Sequence, residues 1–191
     1  MVVRVLVLPG STRTDSFSKK LGRAAAAIVK EAGGEATFVD LRDHAMPLYD
    51  GDLEAAQGLP AAAVSLRAVV KQHQAVLFAT PEYNASLSAV LKNAIDWLSR
   101  PYAAEPGVSV WKNKTAGLLS ASPGALGGMR ALVHLRQVLM NLGVLVVTEQ
   151  FALGNATSAF GPDGGLVDPK TKASVLTVVQ RTMHVAERLS G

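Results

Sequence analysis

The sequence predicts a doubly wound α/β fold, with five parallel strands in the order 2-1-3-4-5 and helices on both faces. Short apolar, mostly β-branched runs alternate with longer segments whose apolar residues recur at helical spacing, which is the pattern of a parallel sheet covered on both sides. Polar turns follow the first, third and fourth of those runs, where such a sheet carries its ligand loops. The 191-residue chain reads as one domain, residues 1–191, large enough to bury roughly 70% of the surface its unfolded form exposes.

Residues 2–8 form the first strand, and a hydroxyl-rich turn leads into a helix with Phe17, Leu21, Ala24, Ile28 and Ala32 on one side and Gly33-Gly34 as its stop. Residues 35–39 read as the second strand, 40–52 as a polar loop and 59–73 as a helix. The third strand, 75–80, runs through the loop 81–84 into a helix whose inward face is Val90, Leu91, Ala94, Ile95 and Leu98. A fourth strand, 115–121, is followed by the turn 122–128 and a helix ending at Leu142. Residues 144–148 make the fifth strand, 154–169 a surface loop and 171–189 the closing helix. Strands one and three are neighbours where the winding reverses, so the crevice is lined by 9–18, 81–88 and 120–128.

Composition narrows the function. The absence of cysteine excludes disulfides, thiolate catalysis and Cys-based metal sites, and suits a reducing cytoplasm. The net charge of +4 comes from scattered Lys and Arg with no basic tract, so nucleic acid is not the expected partner. The first apolar run stops at Leu8 and no later one approaches the ~20 residues of a membrane span, so a cytoplasmic protein is expected.

The first turn, Gly10-Ser11-Thr12-Arg13-Thr14-Asp15-Ser16-Phe17-Ser18, has one glycine and no Gly-Lys pair, so neither the dinucleotide fingerprint nor the P-loop fits. It offers a helix N-terminus, several hydroxyls and one guanidinium, a donor set for a single terminal phosphate. Helix capping by Ser16 or Ser18 beside a solvated Arg13 is the alternative. A phosphorelay receiver needs acidic residues where this chain has Pro9-Gly10 and Thr80-Pro81, and is excluded.

Gly10-Ser11-x-Arg13-x-x-Ser16, then Pro81-Glu82-Tyr83-Asn84-x-Ser86 and Leu91-Lys92-Asn93-Ala94-Ile95-Asp96-Trp97, resemble the NAD(P)H-dependent FMN reductases of flavodoxin-like fold, which include quinone, azo-dye and chromate reductases. The resemblance covers nearly the whole chain. It implies that Ser11, Arg13, Ser16 and Ser18 hold the FMN phosphate. It further implies that Pro81, Glu82, Tyr83 and Asn84 border the isoalloxazine ring, and that Ser120, Ser122 and Gly124 close its other side. Arg13 suits a dianion, Tyr83 offers a flat face, and the Asn84 amide can donate and accept at the pyrimidine edge. Two departures stand out: Ser18 where the family usually has Asn, and Ser88-Ala89 where it has Pro-Gly.

The resemblance implies a ping-pong reaction in which NADPH or NADH reduces FMN and a quinone, azo compound, chromate or free flavin reoxidises it. No side chain is assigned a catalytic role, because hydride chemistry belongs to the cofactor. A flavodoxin-like electron carrier and an arsenical-detoxifying flavoprotein are the competing classes. His44, His73, His134 and His184 lack metal spacing, and Asp40, Asp43, Asp50 and Asp52 read as solvated turn residues, so no metal is expected. A homodimer or homotetramer is expected, with Trp97, Tyr102 and Met129 at the interface and Arg100 and Arg130 in rim pairs. Trp97 lies off the apolar stripe of its helix, which suggests an outward position.

Overall fold

In the computed structural model, which describes residues 1–190, the strands are β1 (Arg4–Pro9), β2 (Glu35–Phe38), β3 (Ala75–Thr80), β4 (Thr115–Ala121) and β5 (Leu145–Leu153). The helices are α1 (Phe17–Glu31), α2 (Gly51–Gln57), α3 (Ala61–Lys71), α4 (Ala89–Leu98), α5 (Met129–Asn141) and α6 (Pro169–Leu189). The sheet order is β2-β1-β3-β4-β5 and every pairing is parallel, as the sequence predicts.

Side-chain alternation along the strands divides the core in two. Leu6, Leu8, Val76, Phe78 and Leu118 point to the face covered by α3, α4 and α5, where Leu66, Leu91, Ile95, Leu132 and Leu135 meet them. Val5, Val7, Leu77 and Leu119 point to the other face, against Leu21, Ile28, Val175 and Val178 of α1 and α6. Helix α6 lies so close to β4 that a Cβ on Gly117 would fall 2.3 Å from Thr182 Oγ1, so only glycine fits there.

The strands 75–80 and 115–121 coincide with their sequence-based bounds; β5 does not. It continues to Leu153 because its register against β4 jumps from Ala116↔Val146 to Leu118↔Gln150, a bulge that absorbs the polar Thr148-Glu149. The polar loop 40–52 runs into an unforeseen helix, α2, which buries none of its residues and so carries no amphipathic signature. Asp50 caps it by accepting from Asp52 N and Leu53 N, and Glu54 holds Arg100 at 2.8 Å.

Trp97 corrects another expectation. Its ring is fully buried, its Nε1 donates to Pro47 O at 2.8 Å, and Tyr49 packs edge-on against it at 5.1 Å. The segment after β2 folds over α4 and covers the position that periodicity alone turns outward. Trp111 is also fully buried, with Nε1 on Ser99 Oγ.

Behind α4, residues 98–109 are gathered by one buried guanidinium. Arg67 is 2% exposed and donates to Leu98 O at 2.9 Å, Ser109 Oγ at 3.0 Å and Gly107 O at 3.3 Å, with Glu105 as its carboxylate partner. Replacing it with leucine orphans these acceptors, and leaving buried polar groups unpaired is costly. Arg67→Leu is expected to lower unfolding stability by about 3 kcal/mol or more, measured as a reduced urea midpoint with an unchanged m-value; a loss below about 1 kcal/mol would contradict the clamp.

Candidate active site

The turns after β1, β3 and β4 leave the same carboxyl edge of the sheet, and β1 and β3 lie side by side there. Their junction is tied by two hydrogen bonds: Gly10 N donates to Ala79 O at 2.9 Å, and Ser88 Oγ donates to Gly10 O at 2.6 Å. Ser88 also caps α4 by accepting from Leu91 N. A Cβ on Gly10 would lie 2.9 Å from Leu91, which is why the β1 turn begins with glycine. The Ser88-Ala89 departure thus supplies a helix cap and a cross-loop tie.

In the first turn, Ser16 caps α1, accepting from Lys19 N at 3.4 Å, and its hydroxyl shares a 2.7 Å hydrogen bond with Ser18 Oγ; both side chains are buried. Ser11 is buried and accepts Arg13 N–H at 3.2 Å, so its own proton remains available to donate. Arg13 is exposed, and its guanidinium has no hydrogen-bond or ion-pair partner among the described residues. The capping and phosphate readings of this turn are therefore compatible: Ser16 caps while Ser11 and Arg13 keep free donors at a helix N-terminus.

Asp40 is not a solvated turn residue. It holds the buried Lys19 at 2.6 Å. Its partial burial alone would raise its pKa, but the bond from Lys19 and the Arg42 backbone N–H outweigh that and hold it below the usual carboxylate range.

After β3, Tyr83 and Ser86 exchange backbone hydrogen bonds of 3.0 Å across Asn84 (φ 49°) and Ala85 (φ 63°), the two left-handed residues of a type I′ turn. The turn leaves Tyr83 52% exposed and Asn84 open to solvent. Neither central residue is glycine, so this conformation must be held from outside. Helix α5 holds it. The Glu82 carboxylate accepts from Arg130 N at 3.1 Å and Ala131 N at 3.3 Å and pairs with the Arg130 guanidinium, while His134 Nδ1 lies 3.0 Å from Ser86 Oγ. Arg130, expected in an intersubunit rim pair, pairs with Glu82 of its own chain. Partial burial would raise the Glu82 pKa, but Arg130 and the two backbone N–H groups outweigh it and keep the carboxyl below its ordinary value.

Ser120, next to last in β4, is fully buried, and its hydroxyl has no hydrogen-bond partner. A Cβ on Gly128 would lie 3.2 Å from Ser120 Oγ and 3.5 Å from Glu82 Cβ, so the second and third turns meet at this glycine. Ser122 is half-buried and accepts from Gly124 N, leaving Gly124 exposed. Pro81 is half-buried, its carbonyl taken by Thr80 Oγ1. The donor set fits a phosphorylated flavin: a guanidinium and hydroxyl at a helix N-terminus, an open aromatic ring, and an orphaned buried hydroxyl beneath the third turn. Among the described residues no cluster of three or more His, Asp or Glu could hold a metal, and no helix is long and apolar enough to cross a membrane.

Comparison with known proteins gives the family of the chain. Residues 3–158 match the family described as NADPH-dependent FMN reductase. An NAD(P)H-dependent FMN reductase of Pseudomonas aeruginosa is 36% identical over 99% of this chain and 98% of its own length. A probable NADPH:quinone oxidoreductase of Oryza sativa is 36% identical over 99% of this chain and 91% of its own. Among solved structures, the flavoenzyme NAD(P)H:(acceptor) oxidoreductase FerB of Paracoccus denitrificans is similar with a TM-score of 0.83 and 31% identity, covering 98% of both chains.

Because the folded Glu82 carboxyl is more acidic than its unfolded value near 4.3, its contribution is full above that pH and is lost as the pH falls through the folded value. Glu82→Gln is expected to cost about 1–2 kcal/mol at pH 7, with the gap to the parent closing as acidification goes below about pH 4. Urea unfolding across that range checks this; a gap that does not change with pH would contradict it.

Proposed function

As the chain belongs to the NADPH-dependent FMN reductase family, we propose that it takes hydride from NADPH or NADH and passes it to a quinone or a similar small acceptor such as an azo dye, chromate or free flavin. The observation that carries this reading is the meeting, at the junction of β1 and β3, of a hydroxyl-rich turn with a free guanidinium and a stapled turn with an open aromatic ring. Bound FMN supplies the hydride chemistry at its N5. The protein, acting as one domain, supplies binding, orientation and access.

Ser11 and Arg13 donate to the FMN phosphate, with Ser16 and Ser18 shaping the N-terminus of α1 behind it. Pro81, Glu82, Tyr83 and Asn84 border the ring; Glu82 acts from behind, through α5, while Tyr83 and Asn84 face the ligand. Ser120, Ser122 and Gly124 close the opposite edge. Nicotinamide and acceptor take turns at the face beside Tyr83, which makes the kinetics ping-pong, and solvent supplies the protons. The cysteine-free sequence suits a cytoplasmic setting.

The working form is a homodimer or a tetramer built from it. Supporting this, α5 and its lead-in expose Leu126, Met129, Val133 and Met140, beside a concavity of about 620 Å³ between α4 and α5 that includes Ile95, Val138 and Leu142. Tyr102 remains an exposed aromatic for the contact, whereas the buried Trp97 does not.

Arg13→Ala is expected to weaken FMN by about 2–4 kcal/mol while riboflavin, which lacks the phosphate, is held almost as before; flavin-fluorescence titration reads both, and equal losses would overturn the phosphate assignment. Tyr83→Ala should change the ranking of acceptor KM values more than it changes the FMN Kd, and unchanged acceptor kinetics would remove Tyr83 from the shared face. Light scattering at micromolar concentration should give at least two chains for the parent and a shift toward one for Val133→Glu. A monomeric parent with full quinone reductase activity would contradict the dimer as the working form.

A further inference from the structure

Lys19 is the least exposed charged residue of the chain's first helix, at 1%, and its ammonium meets one carboxylate, that of Asp40. Burying an ammonium is costly unless it is paired in good geometry, so an ion pair in this position calls for a reason. Asp40 lies just beyond β2. One of its oxygens takes Lys19 at 2.6 Å, and the other accepts from Arg42 N at 2.9 Å, which fixes where the Arg42 side chain starts. The Arg42 guanidinium then closes on a single acceptor, Thr12 O, through Nε at 3.0 Å and also through Nη2.

Thr12 sits between Ser11 and Arg13. In a trans peptide the carbonyl and the following N–H point in opposite directions. Arg42 holds the Thr12 carbonyl, and the N–H at the other end of the same peptide, that of Arg13, donates to Ser11 Oγ. The peptide is pinned at both ends. With its oxygen already accepting, the Ser11 hydroxyl keeps its proton for a ligand, and the Arg13 side chain leaves from a fixed backbone. A turn that offers donors to an anion must point carbonyls away from it, and a carbonyl turned away needs a donor of its own. Arg42 is that donor, 30 residues distant in sequence.

We propose that Arg42, anchored through Asp40 to the buried Lys19, is a positioning residue for the phosphate turn, and that its grip on Thr12 O sets how strongly the protein prefers a phosphorylated flavin over the same flavin without phosphate. The proposal rests on the reading that the 11–18 turn takes the FMN phosphate. Arg42 itself touches only the back of the turn.

The test titrates the full chain, stripped of flavin, with FMN and with riboflavin, following quenching of flavin fluorescence, for the parent and for Arg42→Ala, Arg42→Lys and Arg13→Ala. Arg42→Ala should lose about tenfold or more in FMN affinity with riboflavin unchanged. Arg42→Lys, which keeps one donor for the carbonyl, should recover part of that loss. A general loosening of the fold would weaken both flavins together and give no recovery specific to FMN. If Arg13→Ala is FMN-selective and Arg42→Ala is not, the positioning role is overturned while the phosphate reading stands. If neither variant is selective, the phosphate reading fails and the inference fails with it.

Discussion

Val5 to Pro9 of β1 lie in register with Ala75 to Ala79 of β3, and the hydrogen bond from Gly10 N to Ala79 O carries that pairing past the end of the sheet. Because the chain reaches β2 from β1 through α1 on one face, and β4 from β3 through α4 on the other, the two turns must part where their strands are closest. Everything the protein offers a ligand hangs from this parting. Ser88 keeps it from gaping: its hydroxyl binds Gly10 O and caps α4, so one buried side chain at the end of the second turn serves both a helix and the first turn.

Both exposed turns are held from behind rather than by their own sequence. The Tyr83 turn places two non-glycine residues in the left-handed region, a conformation that costs of order 1–3 kcal/mol per residue when nothing compensates. The compensation comes from α5, whose N-terminus begins at Gly128 without a side-chain cap of its own. Glu82 provides that cap and Arg130 the counter-charge, so the helix and the turn stabilise each other. In the first turn Ser11 and Ser16 use local hydrogen bonds to leave Arg13 free, while Asp40 and Arg42 brace the reverse side.

Buried charge follows the same logic. Arg67 and Lys19 are both almost wholly removed from water, and neither is needed to fill the core, which leucine or methionine could do at less electrostatic cost. Each instead gathers polar backbone that a hydrophobic side chain could not satisfy: Arg67 the segment after α4, Lys19 through Asp40 the segment after β2. These two irregular segments are ordered by buried cations, the sheet and its covering helices by apolar packing.

The order of strands and helices was legible in the sequence because periodicity is local: a strand buried on both faces needs a continuous apolar run, and β3 and β4 fall on 75–80 and 115–121 for that reason. The turns that part at the reversal point were legible too, since strand order alone places them there. What tertiary structure alone decided were contacts between groups far apart in the chain. Helix α2 has no buried face to announce it and is held by Asp50 and by Arg100 from α4's end; Trp97 is buried by a loop 50 residues earlier; Glu82 works through Arg130, 48 residues on. A single hydrogen bond across such a separation leaves no repeating pattern in sequence. Its energy depends on where two elements come to rest, and that is settled only when the whole sheet and its helices have packed.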